Sequence, residues 1–312
     1  MTDLFDEDLD GVSDAVRQGI AIQRAADRAR RTKTEIRFSE PLAAPRFRVL
    51  NLGAGVQSSA LALMSARGEL EPLDYAIFAD TGEEATETYE YLDWLEGQLP
   101  FPVMRVKRAG PGLGDYLIEG TTLSRVGRQM APFFTADPDG MLPKHCSKEF
   151  KTRVVQLAMR QLLGLAYGER GPNEPVIEQW LGMTTDETHR VSVSEKKYLH
   201  QRYPLIELRM KKIDLYPWYE QRQLPPPPKS SCIFCPLNDP KRLAKLLQHP
   251  IDGPRLVAFD AAIRPGYAEM TGACYLTRER KPILECDLRT SVQRGQGEMT
   301  LDDYCGDGEC GV

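Results

Sequence analysis

The order of elements over residues 47–79 constrains this chain more than any other feature. Phe47-Arg48-Val49-Leu50-Asn51 reads as a short strand, and Gly53-Ala54-Gly55-Val56-Gln57-Ser58-Ser59 follows as a turn of small residues. A helical pattern starting near Ser58 carries Leu61, Leu63 and Met64, and Tyr75-Ala76-Ile77-Phe78-Ala79 reads as the next strand. Strands joined through a helix run parallel, and a parallel sheet needs helices over both faces. The alternation continues with a helix over Glu87–Leu95, a strand over Val103–Val106, a helix over Lys148–Leu163 and a strand over Val176–Leu181.

The expected fold is therefore α/β: a Rossmann-like, mostly parallel sheet with helices on both faces and a small C-terminal cysteine-bearing helical region. Ligands of such sheets bind beyond the C-terminal strand ends, so the loops after Asn51 and Ala79 are the first candidate sites. Residues 1–45 read as a basic N-terminal extension, 46–224 as the nucleotide-binding α/β domain, and 225–312 as the cysteine-bearing region packing on the site. The Gly- and Pro-rich segment 109–145 takes no assignment, and Pro204-Leu205-Ile206 reads as extended. Pro225-Pro226-Pro227-Pro228 is a stiff spacer that delivers the chain into Cys232, ahead of a helical region over 237–265.

Composition excludes several classes. In 312 residues, 41% are hydrophobic and 27% charged, which argues against a disordered or fibrous chain. No run approaches the ~18 apolar residues of a membrane span, so no membrane partner is expected. The net charge of −5 excludes a globally basic nucleic-acid binder. It leaves a local patch open, and Arg17, Arg24, Arg28, Arg30, Arg31, Lys33 and Arg37 supply one. That stretch is either a solvated helix or a contact to an acidic partner such as RNA or DNA. The acidic N-terminus has no apolar signal core, so a reducing, cytoplasmic location is expected. Seven cysteines there point to metal or redox chemistry rather than to structural disulfides.

Four motifs carry candidate chemistry. The small residues of 53–59 let backbone N–H groups approach an anion, and Ser58 and Ser59 add hydroxyls. The lysine of a G-x-x-x-x-G-K-S/T loop is missing. Asp80-Thr81-Gly82, followed by Glu87-Thr88-Tyr89, places a carboxylate at a strand end, where it serves as a ligand group or as a turn and cap. Cys232-Ile-Phe-Cys235 fits zinc, an iron–sulfur group or a redox pair, with Cys146 a further ligand flanked by Lys144, His145, Lys148 and Lys151. Cys274 and Cys286 read first as buried small side chains. Gly182–Arg190 is a Thr-rich charged segment that presents Arg190 to a phosphate or sulfate or forms a loop and cap. His145 and His189 read first as surface residues.

Taken in order, these motifs resemble the PP-loop superfamily, the adenine nucleotide α-hydrolase-like enzymes. Within it they are most similar to the phosphoadenosine/adenosine phosphosulfate reductase family. Residues 53–59 resemble its S-G-G-x-x-S loop, Asp80–Gly82 with Glu87–Tyr89 its D-T-G…E-T-Y element, and Cys146…Lys151 its cysteine-plus-lysine element. Gly182…Arg190 resembles its G-x-R-x-x-E-S…R segment, Cys232-x-x-Cys235 the second half of its iron–sulfur motif, and Glu309-Cys310-Gly311 its tail. Three departures stand out: Gln57 replaces the loop aspartate of many ATP-using members, Cys146-Ser147 replaces a tandem Cys–Cys, and the terminal His is absent.

The resemblance implies a nucleotide site built from Gly53, Gly55, Gln57, Ser58, Ser59, Asp80, Thr81, Gly82, Lys151 and Arg190. It implies Cys310 and Asp80 as catalytic residues. It also implies a 4Fe-4S cluster on Cys146, Cys232 and Cys235, either with one iron open to an exogenous ligand or closed by Cys274, with zinc as the alternative group. One expected activity is thiolate attack by Cys310 on an adenine phosphosulfate, with a thioredoxin-like electron donor. A second is ATP- and magnesium-dependent thiolation of a nucleic-acid base fed by a persulfide carrier. A third is a zinc-stabilised, non-catalytic nucleotide-binding module.

Overall fold

A computed structural model describes residues 41–122, 131–136, 139–267, 272–290 and 293–294. Nearly all of the basic extension therefore lies outside the described residues, as do Cys305 and Cys310.

Five parallel strands form the main sheet in the order β3-β2-β1-β6-β7. They are β1 (Phe47–Leu52), β2 (Tyr75–Ala79), β3 (Val103–Val106), β6 (Ile177–Trp180) and β7 (Leu199–Arg202). The register sets Leu50 beside Ala76 and Trp180. Side chains alternate across a strand, so Leu50, Leu52, Phe78 and Trp180 share one face. There they pack with helices α1 (Val56–Ala66), α2 (Thr86–Glu96) and α6 (Leu215–Gln221). Val49, Ile77, Ala79 and Ile177 face the other way, onto Val155, Ala158 and Met159 of α4 (Arg153–Leu162). Both faces are covered, and the expected α/β class is the observed one.

The structure corrects two expectations. Pro204-Leu205-Ile206 is not extended; it forms the first turn of the short helix α5 (Pro204–Glu207). Proline's fixed φ suits a first helical position, and all three residues are buried. The segment 109–145, which the sequence left unassigned, holds regular elements among its described residues. It holds α3 (Leu113–Thr122) and the strands β4 (Phe134–Ala136) and β5 (Asp139–Met141), which form a second, antiparallel sheet with β8 (Cys274–Tyr275). Strands of two and three residues are too short to show a period, and Thr135 pairs with Cys274 far along the chain. The helix expected from Lys148 opens instead as a π-turn over Lys148–Thr152 before α4 begins.

The C-terminal part adds a helical hairpin of α7 (Pro240–Gln248) and α8 (Asp252–Ile263). Its core is a separate apolar cluster of Phe133, Phe150, Ile233, Phe234, Leu256 and Phe259, in which Phe234 stacks on Phe259 with ring centroids 3.6 Å apart. The hairpin is clamped to the sheet domain at the start of α2. The Thr86 N–H and hydroxyl both donate to the buried Asp252 carboxylate at 2.9 Å, while Arg242 and Lys245 pair with Glu87. No helix among the described residues is long and apolar enough to cross a membrane.

Candidate functional site

The C-terminal end of β1 runs into a loop whose geometry follows from small residues. Gly53 N–H donates to the Ser58 hydroxyl at 3.0 Å, and Ala54 takes a left-handed φ of 54°. Gly55 caps α1 with no side-chain acceptor, and no acidic residue sits in the first turn. The first N–H groups of α1 and the positive end of its dipole are therefore not answered by a carboxylate of their own helix. The loop after β6 presses against this turn. A Cβ on Gly182 would lie 2.8 Å from the Ser58 nitrogen, so only glycine allows the approach.

Between these two loops lies a cleft of about 180 Å³. Gly53, Gly55, Gln57, Ser58, Lys151 and Arg190 line it, which brings six of the expected nucleotide-binding residues to one surface from three distant segments. Lys212 and Tyr216 close one side, and Pro227, Pro228, Lys229 and Ser230 close another. The proline run thus borders the cleft directly. Four cationic side chains and a helix N-terminus surround a space that holds one lining carboxylate, Glu187. That balance favours an anionic ligand.

The remaining expected residues sit elsewhere. Ser59 is fully buried behind the loop, where its hydroxyl lies with those of Tyr91 and Tyr219. Asp80 is buried at the end of β2 and does not line the cleft; its carboxylate accepts from the Tyr89 hydroxyl at 2.7 Å and the Gly82 N–H at 2.8 Å, and pairs with Lys107 at 3.0 Å. Burial alone would raise its pKa, but those three donors outweigh burial and hold it below its ordinary value. Gly82 adopts a φ of 79°, which explains a glycine at this turn. The Thr81 hydroxyl lies 3.6 Å from the Cys232 sulfur. His189 is exposed, and neither it nor His145 lines the cleft.

Sequence reasoning missed the residues that organise the cleft from behind. Glu84 is fully buried, and its carboxylate accepts from Lys151 Nζ at 3.1 Å and from the Ser230 hydroxyl at 3.5 Å. Ser230 also donates to the Gly53 carbonyl. The backbone of Glu84 forms an antiparallel bridge to Cys232, and Ile233 N–H donates to the Glu83 carbonyl at 2.8 Å. One buried glutamate therefore touches the lysine and the cysteine turn, and reaches the 53–59 loop through Ser230. Nothing local in Glu83-Glu84-Ala85 signals this, because the partners lie 67 and 146 positions away.

Cys146, Cys232, Cys235 and Cys274 are not joined in disulfides. Cys232 and Cys235 share one turn, closed by the Cys235 N–H donating to the Cys232 carbonyl at 3.1 Å. Cys146, Cys232 and Cys274 border the same apolar cluster. Burial pushes the Cys274 thiol up to about 11, against the opposing pull of Arg264. Burial also raises the pKa of Tyr267, and the nearby Cys274 and Cys146 add to the effect. Thiols are the ligand type of an iron–sulfur group, and three of these four border one apolar cluster. Among the described residues, no three Cys, His, Asp or Glu side chains stand together as a metal site, so neither the expected iron–sulfur ligation nor the zinc alternative is assembled there.

No protein-family model matches this chain. No curated protein matches it. A solved structure of phosphoadenylyl-sulfate (PAPS) reductase from Candida auris, in a phosphate complex, is similar to part of it at 13% identity and a TM-score of 0.40, covering 59% of this chain and 76% of that one.

Proposed function

We propose that this chain is a PP-loop enzyme of the phosphosulfate reductase type, binding an adenine nucleotide in the cleft at the C-terminal end of β1. The single observation that supports this most is the assembly of the 53–58 loop, Lys151 and Arg190 around one cationic cleft. Those elements stand in the order that the PP-loop resemblance requires. The nucleotide's phosphate would lie against the loop N–H groups and the first turn of α1, with Lys151 and Arg190 neutralising its charge.

On a phosphosulfate, the Cys310 thiolate would attack the sulfur. A sulfur–sulfur bond forms, the sulfur–oxygen bond to the nucleotide breaks, and the electron pair leaves on the phosphate oxygen. The loop and Lys151 stabilise that leaving charge. A dithiol donor of thioredoxin type then attacks the enzyme sulfur, releases sulfite and becomes a disulfide. An iron–sulfur group would be held by Cys146, Cys232 and Cys235, with Cys274 as candidate fourth thiol, and would supply charge and redox capacity beside the cleft.

The test is calorimetric titration of the full chain with adenosine phosphosulfates and with magnesium–ATP, followed by a sulfite-release assay. Saturable phosphosulfate binding that falls at least tenfold in Lys151→Ala, with sulfite release lost in Cys310→Ser, supports the reading. Binding of magnesium–ATP alone, without sulfite release from any phosphosulfate, replaces it with the ATP-dependent thiolation chemistry.

A further inference from the structure

Inside the cleft, one carboxylate occupies the groups that a ligand's anion would need. Glu187 is buried, and both of its oxygens are engaged: Oε1 accepts from the Arg190 guanidinium and Oε2 from the Gln57 side-chain amide. Gln57 stands in the first turn of α1, directly after the loop, and also donates to the buried Thr184 hydroxyl at 3.0 Å. All three residues of the Gln57–Glu187–Arg190 set line the cleft. From these contacts we infer that Glu187 is an internal anion that holds Gln57 and Arg190 in the free protein and is displaced when the phosphate-bearing ligand enters. This inference rests on the proposed nucleotide site and adds a residue that sets how tightly that site binds.

Two features of the backbone favour displacement. The segment Thr185–Arg190 is a 3-10 stretch that kinks at Glu187 itself, with φ −114° and ψ 19°. Short 3-10 turns are weakly held, so the residue can rotate without unravelling a longer element. The start of the same loop packs on the Ser58 backbone at Gly182, whereas the kink at Glu187 lies beyond that contact. Electrostatics point the same way. A di- or polyanion placed beside an undisplaced carboxylate meets like-charge repulsion, and exchanging Glu187 for phosphate on Arg190 swaps one charge-assisted pair for another. Competition of this kind lowers affinity by the fraction of molecules in which the groups are already occupied.

The opposite role, in which Glu187 orients Arg190 for the ligand, gives the opposite sign on mutation. Glu187→Gln keeps the shape and removes the charge. Inorganic pyrophosphate titrated into the full chain and into E187Q should bind the variant at least fivefold more tightly. Glu187→Ala should show the same direction, and serves if E187Q does not fold. The gain should require Arg190, so E187Q combined with Arg190→Met should bind no more tightly than Arg190→Met alone. Pyrophosphate binding to the wild type with equal or weaker binding to both Glu187 variants overturns the displacement role and leaves the nucleotide site standing. Pyrophosphate binding to none of the proteins overturns the nucleotide site and this inference together.

Discussion

The cleft at the end of β1 and the cysteine-bearing core beside it meet at Glu84, yet they are built on opposite principles. The cleft is polar, with cations in excess on its lining, and three of them are paired, Arg190 with Glu187 inside it and Lys151 and Lys229 with Glu84 and Asp239 behind it. The cysteine-bearing core is apolar, formed by stacked aromatics, leucines and thiols. In the first region, removing one partner leaves a stranded charge. In the second, removing a side chain leaves a void. The contrast teaches that the same kind of test, a single truncation, reads electrostatics on one side of Glu84 and packing on the other.

The largest expected effect is on the cleft side. Lys151→Ala strands the fully buried Glu84 carboxylate, at a cost of about 3–5 kcal/mol in denaturant unfolding. Adding Glu84→Gln should recover most of that stability while nucleotide affinity stays low, because the gained neutrality does not restore the ammonium. If the double variant is as unstable as the single one, the buried pair is not what holds this region.

Leu256→Ala probes the other side, where Leu256 is fully buried in the aromatic cluster. A loss of about 2–4 kcal/mol is expected from the cavity, with nucleotide affinity changed less than twofold. The same region predicts an order of thiol reactivity. Cys274 is fully buried, with its pKa pushed up to about 11, so it should alkylate only on unfolding. Cys235 is half-buried and should label in the folded, cluster-free protein. Equal labelling rates by peptide mass spectrometry would mean that the apolar region is open.

Asp252→Ala removes the acceptor for both the N–H and the hydroxyl of Thr86, which should lower stability by about 1–2 kcal/mol. This variant tests the join rather than either side, and a loss of cleft affinity along with stability would show that the hairpin shapes the Asp80–Glu84 loop. The smallest effect is acid sensitivity at Asp80. Its folded pKa lies below the ordinary 3.8, so its contribution is complete above that value and disappears as the pH falls through the folded one. Asp80→Asn should lower stability at neutral pH and flatten the acid limb of the unfolding curve. An unchanged acid limb would assign that limb to other carboxylates.

Particular residues show how far the sequence could be read. Tyr75–Ala79 and Val103–Val106 stand as strands at the expected bounds; the first is a continuous apolar run buried in the sheet, and the second is an edge strand whose Arg105 is exposed. The helix after the glycine-rich turn begins at Val56, two residues ahead of the expected start. Pro204 shows the limit of local propensity: the same residues that read as extended are helical once Leu205 and Ile206 have a core to enter. The strands β4, β5 and β8 show a different limit: each is too short to show a pattern, and β4 pairs with neighbouring β5 on one side and with β8 far along the chain on the other.

For the site, the sequence by itself determined the residue types a phosphate-binding turn needs, Gly53, Gly55 and Ser58, and the cationic residues Lys151 and Arg190 in a fixed order. Chain order and small size are local properties, so they survive in one dimension. Only the tertiary structure decided which of these share a surface. It set Ser59 behind the loop and tied Asp80 into its own turn. It brought Ser230 to the Gly53 carbonyl, Glu84 to Lys151, and Glu187 between Gln57 and Arg190. Those pairings depend on distances across folded segments, and they are selected by the cost of burying a polar or charged group without a partner, which no single stretch of sequence can report.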